Sequence, residues 1–216
     1  MGRVQILQTI FDSGVIAVIR GSQPQEILDI ATALNRGGVG ILEVTVDSPG
    51  AIGMIEQVAQ RADGSQGVIG AGTVLDPETA RAALLAGAQF IFTPTLDVRV
   101  IEMANRYDKL VIPGVMTPTE ILTAYQAGAL AVKVFPAATL GPDFFKQVRG
   151  PLPHIPLIPT GGVDEHNVEA FIKAGAAAVG IGGALVNKAA VAAGDYESLT
   201  ARAQLFVDLV QNARNK

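Results

Sequence analysis

The chain has 216 residues, with 16 Lys and Arg against 20 Asp and Glu and a net charge of -4, a balance that argues against nucleic acid or an anionic membrane surface as its main partner. Hydrophobic residues make up 49%, yet no apolar run approaches the roughly 18 residues of a membrane helix. Cysteine is absent, which removes disulfides and thiolate metal sites, and no export signal is read in the first residues, so a cytoplasmic location is expected.

The pattern opens on an extra helix over residues 4–11. Short apolar strand candidates then recur at 15–19, 40–46, 68–70, 90–92, 110–112, 131–134, 156–158 and 178–181, with helical patterns between them. Their spacing of roughly 20 to 27 residues is what a strand, a crossover helix and two loops need. The expected fold is α/β, a single (β/α)8 TIM barrel over 1–216 with an added N-terminal helix. Strands apolar on both faces account for the composition. Asp76-Pro77, Thr117-Pro118 and Asp164 are read as helix starts, and Gly37-Gly38, Gly87, Gly128 and Gly175 as helix ends. A long final helix covers 196–213.

In such a barrel, function gathers at the C-terminal ends of the strands. Arg20 ends the first strand. Glu43 and Thr45 share one face of the second, opposite Leu42, Val44 and Val46, so both point inward. The same parity sends Lys133 inward between Val132 and Val134, where it can meet Glu43. A buried carboxylate is costly unless paired or hydrogen-bonded, and burial turns a lysine toward a neutral, nucleophilic amine. Two readings of Lys133 stay open on this ground: a Schiff-base nucleophile, or a lysine whose stem packs while its ammonium reaches solvent. Lys109, Lys146, Lys173, Lys188 and Lys216 fall outside strand interiors, which sets Lys133 apart.

Glycines follow the third, seventh and eighth strands in Gly70-Ala-Gly72-Thr73, Thr160-Gly161-Gly162 and Gly180-Ile-Gly182-Gly183. Bare amides after strands seven and eight fit a phosphate, or simply tight turns. Thr73 and Thr160 offer hydroxyls to a carboxylate or carbonyl, or act as caps. His154 and His166 are isolated, and no metal site is expected.

Together, Leu-Glu43-Val-Thr, Gly-Ala-Gly-Thr73-Val-Leu, Pro113-Gly-Val-Met-Thr-Pro-Thr-Glu120, Val-Lys133-Val-Phe-Pro-Ala and Pro-Thr160-Gly-Gly-Val resemble the 2-keto-3-deoxy-6-phosphogluconate aldolases, class I enzymes also described as 4-hydroxy-2-oxoglutarate aldolases. The resemblance implies a homotrimeric barrel that cleaves a phosphorylated 2-keto acid to pyruvate and glyceraldehyde 3-phosphate without metal or cofactor. It places the Schiff base on Lys133 and general acid/base work on Glu43. Pyruvate contacts fall to Gly72 and Thr73, and the phosphate to Gly161, Gly162, Gly182 and Gly183. Thr45, Pro94, Phe135 and Thr160 complete the substrate-binding set.

Two positions depart from the family pattern. Asp47 stands where many members carry an arginine, and Gly183 where serine is frequent. Arg20 with Ser48-Pro49 looks like the variant acting on the galactonate epimer, so the anion contact is assigned to Arg20. Unphosphorylated 4-hydroxy-2-oxoglutarate and the phosphogalactonate epimer are the alternative substrates, and a ligand-binding barrel without turnover is the non-enzymatic alternative.

Overall fold

All five residues of strand β1 (Val15–Ile19) are buried, as a parallel strand covered on both faces requires. It follows helix α1 (Arg3–Ser13), and the computed structural model, which describes residues 1–61 and 67–215, then alternates helix and strand. In order come α2 (Ile27–Arg36), β2 (Ile41–Thr45), α3 (Ala51–Ala59), β3 (Val68–Gly72), α4 (Pro77–Leu85), β4 (Phe90–Phe92), α5 (Val98–Arg106) and β5 (Leu110–Ile112). Next are β6 (Gly114–Val115), α6 (Pro118–Gln126), β7 (Val132–Val134), α7 (Ala137–Arg149) and β8 (Leu157–Pro159). The chain ends with α8 (Val168–Lys173), β9 (Val179–Ile181), α9 (Lys188–Ala192) and α10 (Tyr196–Arg214). Lys216 lies outside the described residues.

Six strands form a curled parallel sheet in the order β5-β4-β3-β2-β1-β9, and three form a second sheet, β6-β7-β8. The expected eight-strand ring is therefore divided in two. The first division falls at Pro113, which has no N–H to give to a ladder and separates β5 from β6. Its carbonyl still accepts from Lys133 N at 2.8 Å. At the other margin Ala177 N donates to Leu157 O at 3.0 Å, and Thr160 and Gly180 form an isolated parallel bridge. Strand β3 runs two residues past its expected end, and β8 begins one residue later than expected.

Strand parity sorts the residues into two cores. Ile41, Val68, Phe90, Phe92, Leu110, Ile112, Ala131, Ile158 and Ala178 pack on the inner side with Ile6, Leu7 and Ile10 of α1. The alternate residues, including Leu42, Val44, Val132 and Val134, pack with the surrounding helices. Every second strand residue thus meets α1 or its opposing strands, and the others meet the helical layer. None of the described helices is long and apolar enough to cross a membrane.

Local sequence sets the helix ends. Asp76 accepts from Thr79 N at 2.6 Å with Pro77 in the first turn, and Thr117 and Glu120 cap each other reciprocally ahead of α6. The last helical turns give way to left-handed glycines at Gly87, Gly128 and Gly175, with φ of 104°, 99° and 96°. The helix expected to start at Asp164 begins instead at Val168, with Asn167 before it. Asn167 Oδ1 accepts from Asp164 N at 3.0 Å and its amide donates to Gly162 O, so residues 164–167 form a turn that ties the glycine loop to α8.

Candidate active site

Glu43 and Lys133 come from different sheets and meet in the interior. Register places Glu43 beside Val18 of β1 and Gly70 of β3, while Lys133 lies between Gly114 of β6 and Ile158 of β8. Their side chains are 0% and 5% exposed, and Lys133 Nζ stands 3.9 Å from Glu43 Oε1. That is an ion-pair distance but beyond a hydrogen bond. Neither carboxylate oxygen of Glu43 has a hydrogen-bond partner among the described residues.

Burial pushes the Glu43 carboxyl above its ordinary value of 4.5. The cations of Lys133 and then Arg20 pull it down, Asp47 pushes it up, and burial wins. Aromatic faces flank the amine: Nζ lies 5.2 Å from the ring centres of both Phe92 and Phe135.

Above this pair opens a cavity of about 370 Å³. Of the residues singled out from sequence, Arg20, Lys133, Phe135, Thr160, Gly161, Gly162, Gly182 and Gly183 line it together. Thr160 Oγ1 is buried and has no hydrogen-bond partner among the described residues. Gly161 and Gly162 have φ of 90° and 76°, a left-handed pair that only glycine adopts without strain. A Cβ on Gly162 would also overlap Ala138 Cβ, whereas Gly183 has nothing within 4 Å of that position.

Arg20 sits at the mouth, half-exposed. Its Nη1 donates to Asp47 Oδ2 at 2.6 Å and its Nη2 to Thr73 Oγ1 at 2.8 Å. Thr73 holds a φ of 58°, a left-handed conformation uncommon for a β-branched residue. The Asp47 that replaces the family's arginine is thus the partner of the arginine supplied by β1.

The remaining expected residues lie outside the cavity wall. Gly72 lies directly against Glu43, where a Cβ would overlap Oε1. Thr45 is fully buried, its hydroxyl 3.0 Å from Ser48 Oγ, which in turn accepts from Gly21 N at 2.8 Å. Thr45 therefore anchors the loops that follow β1 and β2. Pro94 lines a neighbouring cavity of about 380 Å³ that shares Phe135 with the first.

A family model for KDPG and KHG aldolases matches residues 6–202. The chain belongs to this aldolase family. Its relatives include the 2-dehydro-3-deoxy-6-phosphogalactonate aldolase of Escherichia coli K12, 38% identical over 169 residues that cover 78% of this chain and 82% of the relative. A native KDPGal structure superposes with a TM-score of 0.87 at 34% identity, covering 94% of this chain and 96% of the other. The KDPG aldolase of Legionella pneumophila, solved with pyruvate captured as a covalent carbinolamine, gives 0.84 at 30% identity over 90% of this chain and 95% of that one. By this membership the chain is a lyase of the aldolase type.

Sequence reasoning missed several residues of this aldolase's cavity. Val18, Val163, Asp164 and Ala184 also line it. Val18 was available from parity, two residues before Arg20 on β1. Asp164 was read only as a helix cap, although its place directly after Gly161-Gly162-Val163 puts a carboxylate beside the glycine loop. Among the described residues, no group of three or more His, Cys, Asp and Glu side chains is arranged to hold a metal ion.

Proposed function

We propose that this aldolase cleaves 2-keto-3-deoxy-6-phosphogluconate to pyruvate and glyceraldehyde 3-phosphate through a Schiff base on Lys133. One observation carries the reading: a nearly fully buried lysine stands 3.9 Å from a carboxylate that has no hydrogen-bond partner among the described residues, at the floor of a cavity ringed by glycine loops. A static ion pair would leave both oxygens of Glu43 unsatisfied, which is costly in the interior. A reacting substrate supplies the missing partners.

The neutral amine of Lys133 attacks the C2 carbonyl, and loss of water from the carbinolamine gives an iminium. Glu43 transfers the protons of that dehydration, directly or through one water. It then accepts the C4 hydroxyl proton as the C3–C4 bond breaks. The bond's electron pair moves into the iminium to form an enamine, and the aldehyde leaves. Protonation at C3 and hydrolysis of the imine release pyruvate and restore Lys133. Burial raises the pKa of Glu43, which favours its protonated form and so its work as a proton donor.

Around this centre, Arg20 and the Gly72-Thr73 loop meet the C1 carboxylate, and Thr160 meets an oxygen of the bound chain. Amides of Gly161, Gly162, Gly182 and Gly183 hold the phosphate. Thr45 supports the Arg20 loop through Ser48, and Pro94 and Phe135 form the apolar wall. The reading calls for no metal and no cofactor. It treats β5 and β6 as one strand and the two sheets as a single (β/α)8 barrel domain over residues 1–216, acting as a cytoplasmic homotrimer.

A second substrate, the phosphogalactonate epimer, is favoured by one feature. The cation at the mouth is Arg20 from β1, with Ser48-Pro49 after β2, and the Escherichia coli relative bears the galactonate name. Release of pyruvate from the two phosphorylated epimers and from 4-hydroxy-2-oxoglutarate decides among them. The gluconate reading requires the highest kcat/KM on the phosphogluconate, and K133M must abolish turnover of all three.

A further inference from the structure

Beside the catalytic cavity lies a second, smaller one of about 220 Å³, formed where the loop after β1 meets the start of α9. Nothing in the aldol reaction uses it, yet its polar lining is built. Ser22 is only 8% exposed and lines the cavity.

The second polar group is Lys188. Its Nζ lies 3.2 Å from where a Cβ on Gly21 would stand, close over the loop backbone. It makes no ion pair or hydrogen bond among the described residues. Glu26 lines the same cavity but does not approach Lys188 within ion-pair distance; its Oε2 accepts from Gln23 N at 2.7 Å. The third group is Arg20, whose guanidinium borders both cavities. Its Nη atoms each have a second proton beyond those given to Asp47 and Thr73. Val186, Val191 and Ala192 supply an apolar floor.

We infer that this cavity is a binding subsite for a small oxyanion, a phosphate or carboxylate group, held by Lys188, Ser22 and the outer edge of Arg20. An ammonium without an ion pair among the described residues, the hydroxyl of a largely buried serine and a forked guanidinium converging on a pocket of this size form a donor-rich set with one carboxylate turned aside. The two cavities share one cation. The inference goes beyond the aldol reading, because anion binding here requires neither Lys133 nor Glu43.

The test locates the anion and then removes its partners. Crystals of the full chain soaked in selenate, whose selenium is found by anomalous scattering, show a peak beside Lys188 and Ser22 in the wild type and none there in K188Q. In solution, inorganic phosphate and acetate are titrated separately, the tighter of the two identifying the phosphate or carboxylate class. The Kd of that anion at this subsite rises at least tenfold in K188Q and measurably in S22A, while circular dichroism of both variants stays that of the wild type. A selenate peak confined to the Gly161–Gly162 side, no peak at all, or titrations unchanged in K188Q overturns the assignment. Because these readouts are binding and position, they stand or fall separately from any failure of the Schiff-base reaction.

Discussion

Gly72 pairs with Thr45 and lies diagonally from Glu43 on the β2–β3 ladder, and the space its missing Cβ leaves is occupied by the Glu43 carboxylate. The neighbouring inward position, Gly70, is likewise filled from outside itself, by the ring of Phe90. Strand β3 thus gives up side chains at two successive inward positions so that a carboxylate and an aromatic ring fit inside.

The first prediction follows from that overlap. Gly72 needs no left-handed backbone, so the effect of G72A is steric alone. Overpacking against an immobile buried group costs about 1–3 kcal/mol, and the displaced Glu43 no longer aligns with Lys133. Urea denaturation is expected to show this loss together with a fall in kcat. In G72A/E43A the stability part is recovered, a coupling that a purely local effect of the methyl group would not give.

Glu43 also sets a pH dependence of stability. Its folded-state pKa is raised by burial, so the folded chain holds this proton more tightly than the unfolded chain does. The contribution is fully present below the ordinary value of 4.5 and is lost as pH rises through the folded pKa. In E43Q the group stays neutral. The urea midpoint of E43Q is expected to exceed that of the wild type at pH 8, with the gap closing as pH falls toward 4.5; a gap that widens on acidification contradicts the sign.

Arg20 is expected to act on binding more than on chemistry. The half-exposed pair with Asp47 contributes about 0–1 kcal/mol to stability, so R20M should fold normally. A charged contact to a substrate carboxylate is worth about 1.5–3 kcal/mol, hence a KM raised about tenfold or more with kcat changed much less. Arg20 also pulls the Glu43 pKa down. Removing it should move the Glu43 limb of the pH–rate profile upward.

What was legible in the sequence was what depends on period and local chemistry. Alternation along β2 and β7 placed Glu43 and Lys133 on the inner face, and their meeting at 3.9 Å follows once the sheet curls. The caps at Asp76 and Thr117 and the left-handed glycines after α4 and α6 come from residues within a few positions of one another. The partnership of Arg20 with Asp47 spans 27 residues, and no local pattern announces it. Asp47 looked like the loss of a cation, and only the register of β1 against β2 turns it into the partner of one. Thr45 shared the correct face, but its hydroxyl is taken by Ser48, a competition that parity cannot see. Pro113 divides a strand because it lacks an N–H, a fact written in the sequence but hidden by the apolar run around it.

The central claim is that Lys133 forms the covalent bond to the keto acid, and borohydride reduction in the presence of pyruvate tests it most directly. Peptide mass mapping is expected to find the reduced pyruvate adduct on Lys133, absent when pyruvate is omitted and absent in K133M. Recovery of unmodified Lys133 from wild-type protein under these conditions, or an adduct on another lysine, would contradict the account.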